Sequence, residues 1–318
     1  MNTPITQSKA WQKLQEDLGE TSFYEKTDDF HYLAIFKTTP VGNYLYLPYG
    51  PVAKTNQGFK KALKSLKTLA GKHGAMFIRI EPQDPAQAKL LPKNAKKSKD
   101  LNPKDTWTLD LTTDKATIIT NFSQGTRTRY NQFAKKGLSV RSTKDPEEIQ
   151  HLYSLQKQLF KTKNINTFSE NYLKTELKQP FATLYLVEYH TPEGKEPDEN
   201  TPKDGAVLAA SLFFDYQGTR YYMQSAADQN YKKLPTTVAL LTTALFDAKD
   251  QGIKNFDFWG IAPDDAPKDH PWKGFTEFKK SFGGAPSHYA GTYDIILKPA
   301  KYHFYQTIRK LNRFLRHI

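Results

Sequence analysis

The sequence predicts a mixed α/β protein of two domains, on three observations. Residues 57–73 carry apolar side chains at helical spacing and run into an alternating, strand-like stretch at 75–81. Residues 235–251 and 255–260 repeat that helix-to-strand plan without visible sequence identity. Further alternating stretches flank both pairs, at 31–37 and 44–48 in the first half and at 181–189, 206–216 and 219–225 in the second. Helices and strands that alternate in this way layer helices on mixed sheets, and 318 residues suffice to bury two modest cores. The boundary is expected near Ser142, because Asp145-Pro146-Glu147-Glu148 offers a helix start with Asp as N-cap and Pro at the first position. Domain 1 is then 1–141 and domain 2 is 142–285.

From the N-terminus, residues 9–18 read as a short helix with Trp11, Leu14 and Leu18 on one face and Ser8 as N-cap. Tyr46-Leu47-Pro48-Tyr49-Gly50-Pro51-Val52 cannot stay regular and should form a fixed loop at a strand end. In the helix 57–73, Phe59, Leu63, Leu66, Leu69 and Ala70 form the buried stripe, while Lys60, Lys61, Lys64, Lys67 and Lys72 cover the solvated face. Residues 92–104 form a lysine-rich loop whose cations either meet RNA phosphates or keep the loop solvated. Residues 106–111 alternate as a strand, and Asp110 there is a candidate proton acceptor. Residues 112–136 read as helical with an interruption at Ser123-Gln124-Gly125. The helix begun at Asp145 buries Ile149, Leu152, Leu155 and Leu159 and ends near Lys163; a shorter helix covers 171–178. The charged stretch 190–205 is an exposed loop, and Gln217-Gly218 closes a hairpin. Helix 235–251 turns Val238, Leu241, Leu245 and Ala248 inward and stops at Gly252.

Residues 255–284 hold the densest chemistry. The strand 255–260 delivers a loop with three prolines and three aspartates, and loops of this length in compact domains are functional or disordered. Trp272 and Phe275 make disorder costly. Across 275–284, aromatics interleave with Lys279 and Lys280; a strand would turn those two lysines to opposite faces, with Lys279 held in aromatic packing. Asp264, Asp265, Asp269 and His270 share the loop, but an Asp-capped, solvated turn accounts for them better than a metal site does, so no metal is expected. The formal charge of +13 attracts polyanions. The absence of cysteine excludes disulfides, thiolate catalysis, cysteine-bound zinc and iron–sulfur clusters. Without a signal-peptide core or an apolar run approaching about 20 residues, a cytoplasmic protein with no transmembrane segment is expected. The tail 299–318 reads as a basic amphipathic helix, with Phe304, Ile308, Leu311, Leu315 and Ile318 at helical spacing and Arg309, Arg313 and Arg316 on another face. Such a helix either packs on the first domain or lies on an anionic membrane surface.

Three groups of residues carry a resemblance. One is Phe258-Trp259-Gly260-Ile261, His270-Pro271-Trp272 and Gly274-Phe275-Thr276-x-Phe278-Lys279-x-x-Phe282-Gly283-Gly284. The second is the Tyr46 to Val52 element. The third is Arg127-Thr128-Arg129-Tyr130-Asn131 with Ala134-Lys135-Lys136-Gly137, the last lacking one spacer residue. Together they resemble the Fem (FemABX) family, aminoacyl-tRNA-dependent transferases that extend the peptidoglycan stem peptide. The resemblance implies two domains of the GNAT (acetyltransferase-like) fold without the long helical arm of some members, the segment 286–318 packing back to complete the first. It implies transfer of an amino acid from aminoacyl-tRNA to the stem-peptide amine of a peptidoglycan precursor, lipid II or UDP-MurNAc-pentapeptide, with no cofactor and with peripheral contact at the inner face of the plasma membrane. Lys279, preceded by Phe278, takes the position of the family's catalytically important lysine, for oxyanion or phosphate stabilisation. Tyr222, Gln224, Tyr172, Trp272 and Tyr49 fall in the substrate-binding set, although Gln224 replaces a tyrosine and Phe168 an arginine of the family pattern. Arg127, Arg129, Tyr130, Lys135 and Lys136 fall to tRNA, since guanidinium groups suit phosphates and a tyrosine can stack on a base.

GNAT enzymes hold acetyl-CoA through [Q/R]-x-x-G-x-[G/A] at a helix N-terminus, where backbone N–H groups meet the pyrophosphate. The equivalent residues 228–235 contain no glycine, and Pro235 lacks an N–H. A donor other than acetyl-CoA is therefore expected. Two rival readings are a GNAT-type N-acyltransferase with a different acyl donor, and a non-catalytic basic protein that binds RNA or membrane.

Overall fold

A computed structural model describes residues 3–163 and 168–315. Its first elements are α1 (Lys9–Asp17), β1 (Thr21–Lys26), β2 (Phe30–Thr39), β3 (Gly42–Leu47), β4 (Val52–Ala53), α2 (Asn56–Lys72), β5 (Phe77–Ile80) and β6 (Ala95–Lys97). Then come β7 (Asp105–Asp110), α3 (Lys115–Asn121), α4 (Gln124–Gln132), β8 (Leu138–Thr143), α5 (Ile149–Lys163), α6 (Glu170–Leu177), β9 (Ala182–Tyr189), β10 (Val207–Tyr216) and β11 (Thr219–Ala227). The chain closes with α7 (Thr236–Asp250), β12 (Asn255–Gly260), α8 (Lys273–Lys280), β13 (Ala285–His288), β14 (Tyr293–Ile296) and α9 (Pro299–Leu315).

The chain divides into two units, Met1–Lys104 with His288–Ile318, and Asp105–Ser287. The first boundary thus falls at 104/105, not near Ser142. The reason is pairing: β7 lies antiparallel beside β12, with Phe256 opposite Leu109 and Asp257 opposite Thr108. This draws 105–141 into the second unit. Each unit is built on an antiparallel meander followed by a helix and a parallel partner strand, the mixed α/β layering expected from the sequence.

In the first unit the strand order is β1-β2-β3-β5-β14-β6, with β4 on β2 and β5 parallel to β3. Period-2 geometry sends Ile78 and Ile80 towards Phe59, Leu63 and Leu66 of α2, and Phe77 towards Tyr302 and Tyr305 of α9. Thus α9 packs on this unit's sheet. Arg79 on β5 and Asp294 on β14 form a fully buried bidentate pair at 2.7 and 2.8 Å, joined by the Tyr302 hydroxyl at 3.0 Å. The side chains of Arg313 and Leu315, and all of Arg316 and Ile318, lie outside the described residues. Four strands escaped the sequence reading here: β1, the two-residue β4, β14, and β6 inside the expected lysine-rich loop, where 95–97 pair with β14.

In the second unit the order is β13-β7-β12-β11-β10-β9-β8, with β12 parallel to β11. The hairpin turn is Gln217-Gly218, both at positive φ. Helix α7 buries Val238, Leu241, Leu245 and Ala248 against Phe213, Phe256 and Phe258. Residues 275–280, expected as extended, are instead helical in α8. Phe275, Phe278 and Phe282 repeat at intervals of three and four, which serves a helix better than a strand. Phe282 then meets Phe258, Phe122 and Phe278 at 5.3, 5.5 and 5.3 Å between ring centroids. Gly283 and Gly284 leave the helix at positive φ. A Cβ on Gly284 would stand 2.2 Å from the Thr108 carbonyl oxygen, so no other residue fits.

Candidate active site

The site grows from the end of β12. Asp257 points inward and accepts the Trp259 backbone N–H at 2.7 Å and the Thr106 hydroxyl at 3.4 Å. The pairing with β7 slips between Asp257 and Gly260, and Trp259 takes φ 66°. That bulge turns the Gly260 carbonyl towards α8, where it accepts the Lys279 ammonium at 2.5 Å. A second clasp holds the helix: the Thr276 hydroxyl donates to the Trp272 carbonyl at 2.9 Å and accepts the Ala262 N–H at 2.8 Å. At the other end of α8, the Ser281 carbonyl accepts the Ser123 N–H at 2.8 Å and its hydroxyl meets Thr126 at 2.7 Å. Lys279 is therefore positioned from both ends of its helix.

Burial shapes the electrostatics. It pushes Lys279 down to about 8, with the Asp257 carboxylate pulling the other way. It pushes Asp257 up to about 6, against the Trp259 N–H, Lys279 and Thr106. At neutral pH the half-buried Lys279 thus carries its proton where it is partly stripped of water, and a cation there acts more strongly on nearby charge than one in bulk solvent. Lys280 is engaged elsewhere, 3.5 Å from the Glu277 carboxylate and above the Trp107 ring.

Phe278 borders a cavity of about 330 Å³ lined also by Arg129 of α4, by Asp228, Lys232 and Lys233 before α7, and by Thr236, Thr237 and Val238 of its first turn. Pro235 gives α7 no side-chain cap, so that turn presents backbone N–H groups and the positive end of the helix dipole. Residues 228–235 lack the glycine loop yet retain this cationic setting. Sequence reading missed Lys232 and Lys233, because it weighed the segment only for a glycine loop. It also missed Asp257, whose place in a strand beside Lys279 depends on a fold contact.

The other expected site residues divide. Arg127 turns inward, and its guanidinium donates to the carbonyls of Thr120 and Phe122 at 2.6 and 2.5 Å, locking the end of α3. Tyr130 packs among Phe122, Phe133 and Phe246 and is a core-flanking residue, not an open stacking platform. Lys135 is exposed and Lys136 half-buried in the turn after α4. Tyr222 lies against Phe213, and its hydroxyl donates to Ser225 at 2.8 Å; burial raises its ionisation, with Ser225 opposing. Gln224 is half-buried on β11, and its carbonyl accepts the Ser211 hydroxyl. Tyr172 stacks on Phe168 at 4.4 Å, on α6. Trp272, at the head of α8, is exposed. Tyr49 belongs to the first unit, where it is buried at φ 50° and its hydroxyl donates to the Pro103 carbonyl. Asp110 is exposed and accepts the Thr112 N–H at 2.8 Å, which holds its carboxyl below the usual range, so it is a turn cap and not a base. Among the described residues, no three His, Asp or Glu side chains gather as a metal site, and no helix is long and apolar enough to cross a membrane.

The model of the FemAB family matches residues 174–310. The crystal structure of FemX is similar over 95% of this chain and 94% of that one, with a TM-score of 0.80 at 18% identity. L-PGS from Bacillus licheniformis matches with a TM-score of 0.60 at 13% identity, over 98% and 99% of the two chains. The C-terminal domain of a putative lysylphosphatidylglycerol synthetase from Agrobacterium fabrum matches with 0.60 at 12% identity, over 95% and 92%. These structures share the fold. No curated protein sequence matches significantly.

Proposed function

We propose that this chain, a FemAB-family member matched over 174–310, moves an amino acid from aminoacyl-tRNA to the stem-peptide amine of a peptidoglycan precursor, lipid II or UDP-MurNAc-pentapeptide. The observation that carries this reading is Lys279, a desolvated cation held on the Gly260 carbonyl, next to a residue that walls a cationic cavity. An aminoacyl ester is already activated, so its conversion to an amide needs no cofactor. The neutral acceptor amine attacks the ester carbonyl. A C–N bond forms, the tetrahedral carbon gathers negative charge on its oxygen, the bond to the ribose oxygen breaks, and the amine's proton passes to that oxygen directly or through water. Lys279 stabilises the charge on the tetrahedral oxygen, Asp257 keeps it protonated, and Phe278 excludes water beside it. The cavity formed with Arg129, Lys232, Lys233 and the first turn of α7 suits phosphates of the tRNA acceptor end. Tyr222, Gln224, Tyr172 and Trp272 of the second unit, and Tyr49 of the first, remain proposed substrate-binding residues. A lipid-linked acceptor would bring the protein to the inner face of the plasma membrane.

The test mixes purified protein with radiolabelled aminoacyl-tRNA and either lipid-linked or UDP-linked muramyl pentapeptide, with Lys279→Met beside it. Label reaching the precursor with the native chain and not with the variant is the expected result. If no charged tRNA gives transfer while tRNA or vesicles still bind, the protein is a binding module.

A further inference from the structure

Helix α9 has one face too many for a helix that only packs on its sheet. At 100° per residue, Tyr302, Tyr305 and Arg309 share one side, and the structure buries both tyrosines against Met76, Phe77 and Ile296. Phe304, Ile308 and Leu311 fall on a separate stripe about a third of a turn away. Phe304 and Leu311 on that stripe are 60% and 55% exposed, with Ile308 partly covered between them. The two exposed residues are two turns apart, so the stripe runs for roughly 10 Å along the helix. Lys301 borders it on one side; His303 and Lys310 lie beyond it on the other, and all three are exposed. No acidic residue follows Asp294 in the sequence.

We infer that this second face of α9 docks on an anionic phospholipid surface, Phe304, Ile308 and Leu311 entering the acyl boundary while Lys301 and Lys310 meet lipid phosphates. Two features choose this occupant. A stripe that is part aliphatic gains by leaving water for hydrocarbon but offers little stacking to a nucleobase. Cations on both flanks and no nearby acid in the sequence complement a negatively charged surface. Each turn of α9 therefore has two jobs, with its tyrosines anchored in the first unit and its other apolar side chains left for lipid. This deepens the membrane contact named above, but it does not depend on the transfer reaction, because docking is read without donor or acceptor.

The test is sedimentation of the full chain with vesicles of phosphatidylglycerol and phosphatidylcholine, and with phosphatidylcholine alone. The expected result is binding to the anionic vesicles that weakens with salt, and a tenfold or greater loss of that binding in Phe304→Glu/Leu311→Glu. Since both positions are exposed, the variant should keep the native melting curve and its transfer to UDP-linked acceptor. Phe160→Glu, at another exposed aromatic, on α5, should bind vesicles as the native chain does. The proposal is overturned if the native chain ignores anionic vesicles, or if the double variant binds them unchanged. It is also overturned if the double variant loses tRNA binding while keeping vesicle binding, which would make the stripe an RNA surface.

Discussion

Asp257, buried, and Lys279, half-buried, act on each other with opposite charges, and burial drives each towards its neutral form while the other restrains it. Lys279 sits nearer neutrality than an exposed lysine, so its charge depends on pH within an accessible range. Below about 8 it carries its proton; as pH rises through about 8 the cation is lost, and charge stabilisation goes with it. Transfer rate at saturating donor should therefore fall above about pH 8, after correction for ester hydrolysis. Asp257→Asn removes the carboxylate that favours the charged lysine, so the alkaline limb should move to lower pH. A variant that lowers the rate equally at every pH would leave Asp257 a purely structural role.

Lys279→Met should lower kcat by about 10²–10³ with little change in KM for charged tRNA, the pattern of a charge that acts on the transition state. Single-turnover kinetics on the two proteins, together with tRNA binding, separates this from a binding defect.

The two arginines of α4 should behave oppositely. Arg129→Ala, Lys232→Ala and Lys233→Ala should each weaken tRNA binding and reduce the slope of log affinity against log salt by about 1 per lost phosphate contact. Arg127→Ala removes hydrogen bonds to two backbone carbonyls and should instead cost about 1–3 kcal/mol of stability, leaving the salt slope unchanged. Filter binding across a salt series and a denaturation curve read the two effects.

Glu176 on α6 is 1% exposed, its Oε2 has no hydrogen-bond partner, and burial raises its carboxyl to about 8, with Tyr172 opposing. Its folded value lies above its unfolded value of 4.5, so the native state binds the extra proton between those limits. The stability this gives is fully present below about 4.5 and is lost as pH rises through about 8, at up to about 1.4 kcal/mol per pH unit. Glu176→Gln keeps the shape without the charge. Its melting temperature should gain on that of the native chain steadily from pH 5 to pH 8. A constant difference across that range would show that Glu176 does not titrate with folding.

Gly284→Ala would place a methyl group against the Thr108 carbonyl at positive φ. A loss of roughly 2–4 kcal/mol is expected, seen as a lower denaturation midpoint. Gly274→Ala, where nothing lies within 4 Å, is the matched control.

The repeated helix-to-strand plan was legible because α2 and α7 bury stripes at helical spacing, and other helix starts because Ser8 and Asp145 cap where capping residues belong. What escaped were pairings between distant segments. β6 is short and lysine-rich, and it becomes a strand only beside β14. β8 looked like a domain boundary because its partner β9 begins some forty residues later. The stretch after Lys273 alternates over a few residues and also repeats at three and four; packing on Phe258 and Phe122 favoured the helix. Lys279 could be found from its neighbours in sequence, whereas Asp257, Lys232 and Lys233 gain meaning only once β12, α7 and α8 converge. Arg127 and Tyr130 had the right chemistry for nucleic acid, but their nearest partners turned them inward.

The placement of β14 between β5 and β6 has a consequence for synthesis. The first unit's sheet lacks an interior strand until residues 293–296 have been made, and Arg79 has no Asp294 to meet until then. On the ribosome the second unit, Asp105–Ser287, is fully emerged first, while the N-terminal hundred residues wait with the edge of β5 unpaired. The order of completion thus runs against the order of translation, and a ribosome stalled after Ser287 would display an open edge of the kind that recruits chaperones or aggregates.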